Sequence, residues 1–263
     1  MIKRLNSTGA TGCTLRRALT AVALALCTLS TGSVYADAAE SVRTAMADPA
    51  RPATDVARDK NRKPVETLEF FGLKEDMRVL ELLPGGGWYT RLLASALKDD
   101  GKLYVAIGTQ NIEEKLLSQP GFEEVDVVSM EADMGRDEGA RRFSVRSLKM
   151  DVKRLDMALT FRNLHNFDKA GRKVMNEAVF KALKRGGVYG VVDHTTRHMA
   201  PDGSETWRRM DPVQMIKEIQ AVGFELVDYS DLHYRPDDEL RYEVGRRSVT
   251  GNTDRFTLLF RKP

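Results

Sequence analysis

The segment Val79-Leu80-Glu81-Leu82-Leu83-Pro84-Gly85-Gly86-Gly87-Trp88-Tyr89-Thr90 constrains this chain more than any other. Residues 77–83 form a short apolar run bounded by turn residues, which predicts a buried strand. Pro84 and three glycines then force a sharp turn, and residues 88–97 have helical composition. A strand that passes through a glycine turn into a helix is the opening unit of an alternating α/β fold. Glycines at that point let a ligand approach the backbone closely, and the helix start offers free N–H groups. A P-loop is excluded, because no Gly-Lys-Ser/Thr follows. A dinucleotide fingerprint lacks its third glycine near Thr90.

Strands and helices alternate along the rest of the chain. Strands are expected at 102–107, 125–130, 155–161, 188–193, 224–229 and 255–261. Helices are expected at 111–117, at 169–184 and from an Asp211 cap to Ala221, with Pro212 just inside the start. Before the glycine turn, residues 37–48 and 54–72 read as helical, with Pro64 opening the second part of the latter. The polar stretch 131–154 has no clear assignment. The pattern predicts a mostly parallel seven-stranded sheet with helices on both faces, in one domain.

The first 36 residues are a different object. Lys3, Arg4, Arg16 and Arg17 precede an apolar run at 18–29, and Ser33-Val34-Tyr35-Ala36 gives a small-residue cleavage pattern. Together they read as a secretory signal peptide cut after Ala36, which implies a periplasmic or secreted protein. The apolar run is too short to span a bilayer comfortably, so no stable membrane insertion is expected after cleavage. Arg16-Arg17 leaves twin-arginine export open beside the general route. Of the 41 basic residues four lie in this leader, and all 38 acids lie beyond it, so the remainder has a net charge of −1. That balance gives no footprint for nucleic acid. Both cysteines, Cys13 and Cys27, fall in the leader, so disulfides and thiolate chemistry are excluded from the rest.

In open α/β sheets ligands bind beyond the carboxyl ends of the strands, at the switch point. Glu81, near the end of the first strand, suits an ammonium group rather than a phosphate. Asn163 and His165 follow the strand at 155–161. His165 is either a general base or a packed core histidine. Asp193 and His194 end the next strand; adjacent strand residues point to opposite faces, so they do not pair with each other. His194 and His198 have an i, i+4 spacing but lie in loop sequence, and no metal site is expected. Arg58 and Arg62 sit in a segment placed to act as a lid that meets an acidic group. Arg62 and Asp254 read rather as surface or interelement ion-pairing residues, and Arg58 as either. Trp88 and Tyr89 are candidate pocket walls.

Four ordered motifs carry a family resemblance: Pro84–Thr90, P-G-G-G-W-Y-T; Thr160–Asn166, T-F-R-N-x-H-N; Val191–His194, V-x-D-H; and Thr253–Phe256, T-D-R-F. With them the chain resembles class I S-adenosylmethionine-dependent methyltransferases, and more closely a group of predicted secreted methyltransferases. The resemblance covers residues 37–263. It implies a Rossmann-like fold, divided into a helical lid segment at 37–72 and a methyltransferase-like α/β domain at 73–263. It implies S-adenosylmethionine as cofactor, held by Glu81, Pro84, Gly85, Gly86, Gly87 and Tyr89. Asn163, His165 and His194 are the implied catalytic residues, and Arg58, Trp88 and Asp193 meet the acceptor, a small molecule or an envelope component. Two positions depart from ordinary class I enzymes. Leu83 replaces the first loop glycine, and Ala106-Ile107-Gly108-Thr109-Gln110 carries no acid for the ribose hydroxyls. A non-catalytic ligand-binding protein, and a lyase or hydrolase using His165 and His194, are the alternative readings. The oligomeric state is not legible.

Overall fold

The computed structural model describes residues 38–263. The expected leader, its cleavage site and both cysteines lie outside the described residues. Three short helices come first: α1 (Ala38–Met46), α2 (Ala53–Arg62) and α3 (Pro64–Phe70). Lys63, with φ 41°, makes the left-handed break between α2 and α3, and Pro64 occupies the first turn of α3. Arg51 clamps the turn before α2, donating to both oxygens of Asp59 at 2.8 and 2.7 Å.

The alternating unit follows: β1 (Arg78–Leu82), α4 (Trp88–Leu97), β2 (Lys102–Ala106), α5 (Gln110–Lys115) and β3 (Val125–Val127). The polar stretch then resolves into a hairpin, β4 (Met130–Gly135) and β5 (Ser144–Met150). The chain returns to the sheet through β6 (Leu155–Phe161), α6 (Lys169–Ala182), β7 (Leu183–His194), α7 (Pro212–Gln220), β8 (Glu225–Ser230) and β9 (Arg255–Arg261). Helix α6 stops two residues before its expected end. The Lys262 ammonium donates to the carbonyls of Phe180 and Leu183 at 2.6 and 2.7 Å, capping that terminus.

The main sheet has seven strands in the order β3-β2-β1-β6-β7-β9-β8. All pairs are parallel except those of β9, which runs antiparallel to both β7 and β8. This is the expected mostly parallel sheet. The winding reverses between β1 and β6, and a crevice opens there at the strands' carboxyl ends.

Alternation along β1 fixes what each side of the sheet carries. Leu80 and Leu82 face a core built with α6 and α7, which supply Met175, Val179, Met215 and Ile219. Val79 faces the opposite core, where α1, α3 and α4 supply Val42, Leu68, Leu92 and Leu93. Glu81 shares the Val79 side, so its carboxylate points toward α4. Gly190 on β7 leaves room on that face: a Cβ there would lie 2.8 Å from the Phe71 ring, which lies against the sheet. Among the described residues no helix is long and apolar enough to cross a membrane.

Candidate functional site

The glycine turn after β1 is held in shape by backbone strain and by four captured carbonyls. Leu83 stands where a glycine is usual and takes φ 53°, in the left-handed region that costs an L-residue about 1 kcal/mol or more. Asn163 repays this by donating its side-chain amide to the Leu83 carbonyl at 3.1 Å. The Asn111 amide reaches the Gly85 carbonyl at 3.1 Å, and Arg91 reaches those of Gly86 and Gly87 at 2.9 and 3.0 Å. Gly87 (φ 77°) is required twice over, because a Cβ there would lie 2.4 Å from the Leu116 side chain. At Gly85 the same test meets nothing within 4 Å, so the turn is open on its outer side.

Glu81 is buried beneath this turn. Its Oε2 accepts from the Thr90 hydroxyl at 2.6 Å. Burial pushes its carboxyl up to about 7, against the opposing pull of that bond and of Arg62. A cavity of about 210 Å3 lies over it, walled by the turn, Trp88, Tyr89, Phe161 and Asn163. Tyr89 stacks on Phe161 with ring centroids 3.5 Å apart. Arg62 lies over the Trp88 ring at 4.3 Å, and the Trp88 indole donates to the Asp55 carbonyl at 3.0 Å. Both aromatic candidates therefore line the cavity.

The expected lid is a wall tied down at several points. The Arg62 carbonyl lies within 3.0 Å of both the Thr67 hydroxyl and His233 Nε2. Arg255 donates to the Asn61 carbonyl at 2.8 Å, and Asp55 pairs with Arg91 at 3.3 Å. Helix α2 is thus pinned both to the glycine turn and to β9.

A second cavity, of about 470 Å3, adjoins the first and shares Arg58, Arg62 and Arg162 with it. Its far wall carries His194, Thr253 and Arg255. His194 Nδ1 lies 2.8 Å from the Thr253 hydroxyl. Burial, then its electrostatic neighbours His165, Arg255, Arg162 and Arg209, push His194 well below the ordinary imidazole value, so it is neutral.

Two expectations need correction here. Asp193 is fully buried and both its oxygens are spent inside the protein. It accepts from His165 Nδ1 at 2.6 Å, the His165 backbone N–H at 3.1 Å and the His194 backbone N–H at 2.7 Å. It cannot meet a substrate. His165 is also buried and lines neither cavity. Its ring sits 5.5 Å from that of His194. As expected, Asp193 and His194 do not pair through their side chains. His198 is exposed and bonds to Asp211 at 2.7 Å, away from His194. Among the described residues no group of three or more His, Cys, Asp or Glu is placed to hold a metal.

The sequence reading missed several residues that build the site. Arg162 was quoted only as part of a motif, yet it lines both cavities. The reading of Asp254 as an ion-pairing residue also fails: its Oδ1 accepts the Arg235 backbone N–H at 2.8 Å. The 253–255 segment is held instead by a fully buried ion pair. Arg209 donates to both oxygens of Asp238 at 2.9 and 3.0 Å, and Asp238 accepts the Asp254 N–H at 2.7 Å. Distant sequence partners of this kind leave no local signal.

The end of β2 carries no acid, and Asn111, one of its two polar substitutes, is spent on Gly85. The open cradle at Gly85, with Glu81 beneath and guanidinium groups beside it, fits the charged amino-acid end of S-adenosylmethionine.

No protein-family model and no curated protein matches the sequence. Solved structures match it well in shape. An S-adenosylmethionine-dependent methyltransferase from Aquifex aeolicus aligns with a TM-score of 0.53 and 16% identity, over 84% of this chain and 97% of that one. The [4+2]-cyclase SpnF aligns at 0.51 and 18% identity, over 77% and 80%. Human N-acetylserotonin methyltransferase, solved in complex with S-adenosylmethionine, aligns at 0.51 and 14% identity, over 87% and 57%. With this strand order and these likenesses, the chain has the Rossmann-like fold of class I methyltransferases.

Proposed function

We propose that this protein is an S-adenosylmethionine-dependent methyltransferase acting on a small-molecule acceptor. The observation that carries the reading is the glycine turn at the β1 carboxyl end, open above a buried Glu81 at the switch point of the sheet. Solved methyltransferases of the same fold support it. Glu81 would hold the donor's ammonium group, and Pro84 to Gly87 and Tyr89 would shape the cradle around it. The donor, when bound, supplies an electrophilic methyl group.

The rest is positioning by this chain. Asn163 holds the turn through Leu83. His194 faces the larger cavity, where its neutral ring can take or pass a hydrogen bond from an acceptor. Asp193 holds the His165 ring in place through Nδ1. The aromatic floor of Trp88, Tyr89 and Phe161 excludes water. We place the protein in the periplasm or outside the cell on the strength of the leader sequence.

A second reading, a non-catalytic binding protein, is favoured by the missing acid at the end of β2. Calorimetric titration with S-adenosylmethionine and S-adenosylhomocysteine separates the two. Micromolar binding, about −8 kcal/mol, is expected. No heat and no thermal shift at millimolar ligand overturns the methyltransferase reading.

A further inference from the structure

Four guanidinium groups converge on the joined cavities: Arg58, Arg62 and Arg162 between them, and Arg255 on the wall of the larger one. Among the described residues none of the four forms an ion pair. Every acid within the same walls is already engaged. Asp55 pairs with Arg91 and Glu81 accepts from Thr90. A fifth arginine, Arg208, lines the larger cavity but is matched to Glu243 at 2.5 Å.

Two of the four are not surface charges, while Arg162 is half-buried and Arg58 is exposed. Arg62 and Arg255 are each only 6% exposed. The Arg62 guanidinium lies 4.3 Å over the Trp88 ring and makes no side-chain hydrogen bond among the described residues. Arg255 spends two nitrogens on the carbonyls of Asn61 and Gly251, and its Nε is buried with no partner. Arg162 makes no hydrogen bond through its side chain among the described residues. Desolvation and mutual repulsion push Arg62 down to about 8 and Arg255 to about 10. Buried like charges without acids are costly unless a counter-charge arrives. Guanidinium forks match carboxylate and phosphate groups in a bidentate manner. The larger cavity, about 470 Å3, is in the size range of small-molecule sites.

We infer that the larger cavity is an anion site, and that the acceptor is a small organic molecule carrying more than one carboxylate or phosphate group, anchored by Arg58, Arg62, Arg162 and Arg255. The acceptor assignment rests on the methyltransferase reading; the anion site does not. The two fit together in charge. A sulfonium donor brings one more positive charge to this cleft, and an anionic acceptor offsets it along with the arginines.

The test titrates citrate and inorganic pyrophosphate separately into the purified protein at 0.1 M salt, by calorimetry and by thermal shift. At least one probe is expected to bind saturably at one site below 1 mM and to raise the Tm; the tighter probe identifies the class. Binding should weaken at least tenfold in Arg62→Gln and Arg162→Gln and stay within twofold in Arg185→Gln, an exposed arginine near the start of β7 that lines neither cavity. Without any anion, Arg162→Gln should melt at or above the parent temperature, whereas an arginine that only supports the fold would lower it on removal. If neither probe saturates, or if both cavity variants bind like the parent, the inference is overturned. S-adenosylhomocysteine titrated in parallel keeps the two readings apart. Anion binding without it overturns the methyltransferase reading and leaves the anion site. The reverse pattern overturns the anion site alone. Arg255→Gln should weaken anion binding at least fivefold with S-adenosylhomocysteine affinity within twofold. Equal losses would assign the arginines to the donor and overturn the acceptor assignment.

Discussion

Asp193 and His165, 28 residues apart, form a double contact: one carboxylate oxygen accepts the ring Nδ1–H at 2.6 Å, the other the backbone N–H at 3.1 Å. A third N–H, from His194, also ends on Asp193. Asp193→Ala therefore strands three buried donors. The expected loss is roughly 2–5 kcal/mol of unfolding free energy, read from urea denaturation. A loss under about 1 kcal/mol would show that water takes over these bonds.

The two outer glycines of the turn should respond differently to alanine. Gly87→Ala meets the Leu116 side chain and adds positive-φ strain, so a loss of roughly 2–4 kcal/mol is expected. Gly85→Ala carries the strain alone, about 1 kcal/mol, but projects its methyl into the open side of the turn. It should weaken S-adenosylhomocysteine at least tenfold with a modest fall in Tm. Equal melting temperatures for the two variants would contradict this geometry.

His233 is buried between Thr257 and the Arg62 carbonyl, and burial pushes it down to about 4. A depressed value means the unfolded chain binds the proton first as pH falls. The stability that His233 contributes is complete above about 6.5 and is lost as pH drops toward 4, up to roughly 3 kcal/mol. Glu81 works in the opposite sense. Its raised value means its contribution is complete below about 4.5 and is lost as pH rises through 7. The two slopes oppose each other between pH 4.5 and 6.5. Stability measured against pH should rise more steeply in that window for Glu81→Gln than for the parent. It should fall with rising pH in His233→Gln.

Glu81→Gln carries a second expectation. Without a carboxylate to charge in a buried site, the variant should gain roughly 1–3 kcal/mol at pH 8. It should also lose at least tenfold in affinity for S-adenosylhomocysteine. A gain in stability with full affinity would remove Glu81 from the donor site.

The sheet was largely legible because its central strands, β1 and β6 above all, are buried on both faces. Residues 155–161, apolar except for Asp156 and Thr160, match β6 end to end, and residues 88–97 likewise match α4. The β4–β5 hairpin was not legible. Its strands are half exposed, and a bulge between Asp133 and Met134 breaks the alternation that would have marked it. Within the site, Glu81 and the glycines announce themselves by position on a strand–turn–helix unit. The full arginine cluster does not, because Arg162 and Arg255 join Arg58 and Arg62 of α2 only through the tertiary fold. Asp193 was misjudged for the same reason: its partner comes from a neighbouring strand end.

The Arg62 carbonyl draws His233 across 171 residues, and the Asn61 carbonyl draws Arg255 across 194. Loop closures of that span come late in folding, after the local strand–helix units have formed. The glycine turn can form early, but its opposite wall arrives only when β9 has inserted between β7 and β8. Until then the turn faces open water and the arginines remain dispersed. Ligand affinity in this protein is therefore a signal of completed folding: a chain that has seated β9 can bind, and one stalled before that step cannot.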